Sequence, residues 1–278
     1  MNDTRRQVVA FSGGRSSAYM LHILTTEEPD PDRLTLFYNT GKERAETLDF
    51  VAEVADRWEI DITWLEYDYN PDARGTKNDP RHVYKIVTRE TASTNGEPFE
   101  KLINASRFIP NLHRRRCTQE LKVKTAQRFL KRHHGLTRGS YVENLGIRYD
   151  EPRRWQRAMT ADDCRIYYPL VPRRVTQETV AEFWAAQPFD LGIPSDRGNC
   201  DLCFLKGAQN LVDTIEENPA AADWWIEQER KTGRVFNDRH SYRELLHQVT
   251  YRQLVQADQC HDLPLFDNQP AIDCYCGD

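Results

Sequence analysis

Phe11-Ser12-Gly13-Gly14-Arg15-Ser16-Ser17 is the stretch on which the reading of this chain turns. Before it, Gln7 to Phe11 is a short apolar run that reads as a buried strand, and after it Ser16 to Leu24 reads as a helix. A strand that turns through glycines into a helix suits anion binding. The glycines let the backbone come close and aim its N–H groups at a phosphate. The start of the helix adds the positive end of its dipole. Ser12, Ser16 and Ser17 offer hydroxyls, and Arg15 either supplies charge or points outward. A glycine turn with a serine cap and no ligand would give the same string, so the flanking segments must decide.

Outward from the loop, the pattern repeats. Leu34 to Tyr38 reads as a second strand ending in Asn39-Thr40-Gly41, Ala45 to Trp58 has apolar residues at helical spacing, and Ile60 to Leu65 reads as a third strand. This rhythm predicts an α/β fold, a parallel twisted sheet with helices on both faces. Tyr67 to Pro110 is rich in turn formers and reads as an irregular excursion over the carboxyl edge of the sheet. Thr118 to His133 reads as a basic helix, Tyr141 to Ile147 as a strand, and Ile166 to Leu170 as a weaker one. Thr176 caps a helix running to about Ala186, with Thr179 at the third position and hence no full capping box. Beyond Gly198 the pattern is helical and tryptophan-rich. The expected division is a nucleotide-binding domain over 1–192 and a C-terminal helical region over 193–278.

Bulk properties narrow the classes. The chain has 278 residues and a net charge of −5, which argues against a generally basic nucleic-acid coat. Between Arg114 and Arg154, however, twelve Lys/Arg stand against four Asp/Glu, a block suited to phosphate or sulfate, or simply a solvated helix face. No apolar run is long enough to cross a bilayer, and the start has no signal-peptide pattern, so the expected location is cytoplasmic, with no membrane partner. Seven cysteines form an odd set unsuited to a disulfide framework.

The cysteine spacing points to metal or redox chemistry. Cys200 and Cys203, two residues apart, can grip one metal centre from a single turn. Cys117 follows three arginines at the start of a predicted helix, where cations and the helix dipole favour thiolate. Cys274 and Cys276 lie in the tail, while Cys164 and Cys260 have no sequence partner and read as structural. Iron–sulfur and zinc both accept thiolates.

Several of these segments together carry a family resemblance. Ser12-Gly13-Gly14-Arg15-Ser16-Ser17 resembles the pyrophosphate-gripping Ser-Gly-Gly-x-Asp-Ser loop of the PP-loop adenine-nucleotide α-hydrolases, with Ser16 where many members have Asp. Phe37-Tyr38-Asn39-Thr40-Gly41 resembles that family's strand ending in Asp-Thr-Gly, with Asn39 for Asp. Cys117 with its basic neighbours, Gly146-Ile147-Arg148-Tyr149-Asp150-Glu151 and Tyr168-Pro169-Leu170 resemble segments of phosphoadenosine phosphosulfate reductase-like proteins of phage type, in the same order.

The resemblance implies an enzyme that binds ATP or an adenosine phosphosulfate-type nucleotide through Ser12, Gly13, Gly14, Arg15, Ser16, Ser17, Asn39, Thr40 and Gly41. It implies a 4Fe-4S cluster on Cys117, Cys200 and Cys203, with a tail cysteine, Cys274 or else Cys276, as fourth ligand or the fourth iron left open for a sulfur species, and with zinc as the alternative metal. Arg148 and Lys122 are candidate anion contacts, and a tail cysteine, Cys276 or else Cys274, is the candidate attacking thiol. The reaction is reduction of a sulfonucleotide or ATP-dependent sulfur transfer, fed by a thiol or a cysteine desulfurase. A thiolase modifying nucleic acid bound along the Arg114–Arg154 block, or a non-catalytic zinc-stapled adaptor, are the alternatives.

Overall fold

The computed structural model describes residues 4–160, 165–194, 197–198 and 200–257. Among them, six strands form one sheet in the order β4-β3-β2-β1-β5-β6. β1 (Arg6–Phe11) lies between β2 (Leu34–Asn39) and β5 (Tyr141–Leu145), parallel to both. β3 (Ile62–Tyr69) is parallel to β2, and β6 (Ile166–Tyr167) is parallel to β5. The strand order therefore reverses at β1, and in such sheets ligands bind outside the carboxyl ends of the strands at the reversal.

Alternating side chains divide the strands between two cores, as the pleat requires. Val9, Phe11, Phe37 and Trp64 pack against α1 (Arg15–Thr26), α2 (Ala45–Arg57) and α6 (Gln177–Ala185) on one face. Val8, Leu36, Tyr38 and Leu65 meet Phe129 and Leu130 of α4 (Thr125–His134) on the other. A third apolar cluster joins Tyr67 of β3, α3 (Glu97–Ser106) and Leu121 to the C-terminal helices α7 (Ala208–Glu217), α8 (Ala221–Thr232) and α9 (Tyr242–Ala257). That cluster crosses the boundary read near Gly192.

Four expectations need correction. The stretch from Tyr67 to Pro110 is not irregular: it holds β4 (His82–Val87), antiparallel to β3, and α3. β4 is an edge strand with Lys85 and Ile86 exposed, so no apolar alternation marks it. The basic helix begins as a π-helix over Thr118–Lys124 and becomes regular only in α4; the Thr125 hydroxyl donates to the Glu120 carbonyl at 2.8 Å. The strand expected over Ile166 to Leu170 stops at Tyr167. Finally, α6 does have a reciprocal cap: Thr179 N–H reaches the Thr176 hydroxyl, and Thr176 N–H the Thr179 hydroxyl, so threonine takes the glutamate's part. No described helix is long and apolar enough to cross a membrane.

Candidate functional site

The glycine loop sits at the strand-order reversal, and its glycines are there for steric reasons. Gly13 has φ +79°, and a Cβ on it would lie 2.8 Å from Thr47 Cγ2 and 3.2 Å from a Phe37 ring carbon. Gly146, just past β5, would place a Cβ 2.6 Å from Ser17 Cα. The turn after β5 therefore presses directly on the first turn of α1. Hydroxyls close the loop on itself: Ser17 Oγ donates to the Gly14 carbonyl at 2.9 Å, lies 2.8 Å from Ser12 Oγ, and accepts from Ser12 N–H at 3.3 Å.

Two cavities flank this loop. One, of about 280 Å³, lies between the β1–β2–β5 face and the π-helix; its lining includes Ser12, Ser17, Tyr38, Lys122, Tyr141 and Ile147. Burial, with Glu143 nearby, pushes the Tyr141 phenol up to about 12, so it stays protonated there. The other, of about 460 Å³, lies on the α6 side and includes Arg15, Ser16, Arg148 and Trp184. Arg148 is buried, and its guanidinium donates to Ser16 Oγ at 3.0 Å and to Asp150 at 3.0 Å. Arg15 forms a two-pronged ion pair with Asp190 and donates to the Ile193 carbonyl at 2.7 Å. Its charge is thus committed to the 190–193 turn.

Asn39, Thr40 and Gly41 do not line either cavity. Asn39 is fully buried; its amide donates to Glu66 at 2.6 Å and to the Ser93 carbonyl at 2.8 Å, while its oxygen accepts Gly41 N–H at 3.0 Å. The Thr40 N–H and hydroxyl both donate to Glu43, at 2.7 and 2.9 Å. The Thr40 hydroxyl also lies 3.4 Å from Cys200 Sγ, so the end of β2 touches the cysteine segment. A short bridge between Glu43 and Cys200, and an Asp201 N–H bond to the Lys42 carbonyl at 2.7 Å, fix this contact. Below it, Lys42 and Asp201 form a buried ion pair at 2.8 Å, and Asp201 also accepts from Trp225 Nε1 at 3.0 Å.

This junction is polar and buried. Desolvation raises the Glu43 carboxyl above the usual range, against the pull of Lys122 and the Thr40 hydrogen bonds. Lys122 therefore lies between the nucleotide-side cavity and the cysteine segment. Burial lowers the Lys206 ammonium, against the pull of Cys203 and Cys200. Cys117, Cys200 and Cys203 are thiols, and all three border the third apolar cluster. No three His, Cys, Asp or Glu side chains among the described residues converge on one metal ion. Cys164, Cys260, Cys274 and Cys276 lie outside the described residues. Glu43, Lys42, Asp201 and Lys206 were missed in the sequence; the signal available was the charged pair directly after the Asn39-Thr40-Gly41 turn.

A sheet reversing at β1, with a glycine turn feeding a helix start at the reversal, defines a doubly wound α/β protein, a class whose ligands bind at that point. Residues 6–183 match the phosphoadenosine phosphosulfate reductase domain, and the chain belongs to that family. An uncharacterized nin region protein, ORF290 of Escherichia phage lambda, is 31% identical over 259 residues, covering 90% of this chain and 82% of the relative. Among solved structures, the U34-tRNA thiolase of Methanococcus maripaludis with its 4Fe-4S cluster is similar with a TM-score of 0.40 and 13% identity, over 96% of this chain and 79% of that one. A likeness that loose carries no residue across.

Proposed function

We propose that this chain is an adenine-nucleotide-dependent sulfur-transfer enzyme. The observation that carries the reading is the contact between the glycine loop and the 280 Å³ cavity, which share Ser12 and Ser17. Phosphates bind on the loop N–H groups of residues 12–17, and the adenosine enters the cavity toward Tyr38 and Tyr141. Lys122 from the π-helix and Arg148 from the turn after β5 bring positive charge from two sides.

The thiols fit a cluster by chemistry and by burial. Cys200 is buried, Cys117 and Cys203 are half-buried, and Lys206 stands beside the pair. Such thiols suit ligation better than open attack on a sulfonucleotide. Cys117, Cys200 and Cys203, with Cys274, would hold four-iron ligation, which spreads thiolates over separate irons. Zinc needs its ligands around one point. A bound cluster supplies a place for a sulfur species. ATP then adenylylates an acceptor oxygen with loss of pyrophosphate, and hydrosulfide attacks the carbon that bears this oxygen, forming the C–S bond as the C–O bond breaks and AMP leaves. The positioned N–H groups and cations stabilise the charge that develops at phosphorus.

Calorimetric titration with ATP, adenosine phosphosulfate and phosphoadenosine phosphosulfate tests the reading. Binding of ATP in preference to both sulfonucleotides is expected. Preference for a sulfonucleotide converts the reading to reduction, in which a tail thiol such as Cys276 attacks sulfur and the adenosine phosphate leaves. Failure to bind any of the three overturns it. In anaerobically purified protein, Cys200→Ala and Cys203→Ala should each lose iron; unchanged iron sinks the ligand set, and stoichiometric zinc in colourless protein favours the adaptor.

A further inference from the structure

The basic block from Arg114 to Arg154 does not form one uniform surface. Lys124 and Arg128 are both tied to the buried Glu120, at 2.5 and 3.0 Å. Arg148 is engaged by Ser16 and Asp150, and Arg154 by Glu151. What the block adds to the nucleotide site is an aromatic feature. Tyr149 follows Arg148 directly, yet it is 43% exposed. Its ring is stacked with that of Trp155, with centroids 6.2 Å apart and planes inclined by 20°.

This pair is held firmly. Tyr149 N–H donates to the Val175 carbonyl at 2.8 Å, and Trp155 Nε1 donates to the Tyr149 carbonyl at 3.1 Å. A backbone anchored from both sides keeps an apolar ring in water, where burial would otherwise be favoured. The nearby carboxylates are already in use. Asp150 accepts from Arg148 and from Gln177 N–H, and Glu151 from Arg148 N–H and Arg154. Two arginines near this anchor are exposed: Arg153, four residues on in α5 (Pro152–Thr160), and Arg174, which precedes the Val175 that pairs with the Tyr149 backbone. A fixed exposed aromatic face, with exposed arginines on the segments that anchor it, suits unpaired nucleobases that stack while their phosphates meet guanidinium groups.

We propose that Tyr149, backed by Trp155, is a base-stacking platform for a single-stranded nucleic-acid substrate, with Arg153 and Arg174 receiving its phosphates. The proposal rests on the sulfur-transfer reading and names its acceptor class. The platform follows Arg148, whose guanidinium touches Ser16 of the glycine loop, so a strand lying on Tyr149 is delivered next to the activating nucleotide.

Fluorescence anisotropy with labelled oligouridylate and oligothymidylate tests it, with ATP calorimetry on the same preparations. The unaltered protein should bind at least one strand, with affinity falling as salt rises; preference between the two identifies RNA or DNA as the source. Tyr149→Ala should weaken binding about tenfold, and Tyr149→Phe, which keeps the ring, should stay within about twofold. Arg153→Gln should weaken binding and flatten the salt dependence. The ATP affinity of Tyr149→Ala should match that of the unaltered protein, separating loss of the platform from loss of the fold. Binding of neither strand, or equal binding by Tyr149→Ala, overturns the proposal. Loss of ATP binding by the unaltered protein instead overturns the sulfur-transfer reading and leaves the strand result to stand alone.

Discussion

The loop after β1 and the cysteine segment at residues 200–206 are held by different means. The form of the loop is set within it, by Gly13, Gly14 and Ser17, and the absence of a side chain at Gly146 lets the turn after β5 close on it. The cysteine segment is held across the chain, with Cys200 reaching Thr40 and Asp201 pairing with Lys42. The first region has no room for a side chain at Gly13 or Gly146, whereas the second depends on particular charged partners.

The largest effect should come from Asp201→Ala. It leaves the Lys42 ammonium buried without its carboxylate and removes the Trp225 acceptor, costing about 4 kcal/mol in urea unfolding. A cost under about 1 kcal/mol, the range of a surface pair, would break the contrast between the two regions. Gly146→Ala tests the loop side. The added methyl meets Ser17 backbone at 2.6 Å, and backbone cannot swing aside as a side chain can. A loss of about 3 kcal/mol and failure to bind ATP are expected.

A pH effect belongs to the cysteine side. Glu229 accepts N–H from Phe236 at 3.2 Å and from Tyr242 at 3.0 Å, and the Tyr242 hydroxyl in turn donates to the Leu202 carbonyl. Burial pushes the Glu229 carboxyl from its ordinary 4.5 up to about 7, against those two hydrogen bonds. The folded state therefore holds this proton more tightly than the unfolded chain. Its contribution is full below the ordinary glutamate value and declines as pH rises from 4.5 to about 7, by at most about 3 kcal/mol. Unfolding free energies measured across that window should fall for the unaltered protein and lose this slope in Glu229→Gln. Equal slopes would remove Glu229 from the account. The smallest effect should be that of Arg15→Ala. Its guanidinium is occupied by Asp190 and Ile193, so stability should drop by about 1 kcal/mol, with ATP affinity nearly unchanged. A large loss of affinity would bring Arg15 back to the phosphates.

The same contrast explains what could be read in the sequence. The strand, glycine turn and helix around Ser12 to Ser17 were legible because each is set by residues within a few positions. The rhythm of strand, helix and strand from β1 to β3 likewise carried the parallel sheet. The Glu43–Thr40–Cys200 contact was not legible, since it joins residues 157 and 160 positions apart. α3 was hidden behind Pro98 and a left-handed Gly96, although Phe99, Leu102 and Ile103 have helical spacing. The π-helix shifts register by one residue without any change of composition, so Glu120 and Leu121 read as part of a regular helix while the structure buries both. The basic block was visible as charge, but charge alone did not show that Lys124 and Arg128 serve Glu120.

A crystal structure of the protein with a non-hydrolysable ATP analogue tests the central claim most directly. The account predicts phosphate oxygens within hydrogen-bonding distance of N–H groups in residues 12–17 and the adenine ring inside the cavity bounded by Tyr38, Lys122 and Tyr141. An analogue bound elsewhere, with the loop unchanged and the cavity empty, would contradict it.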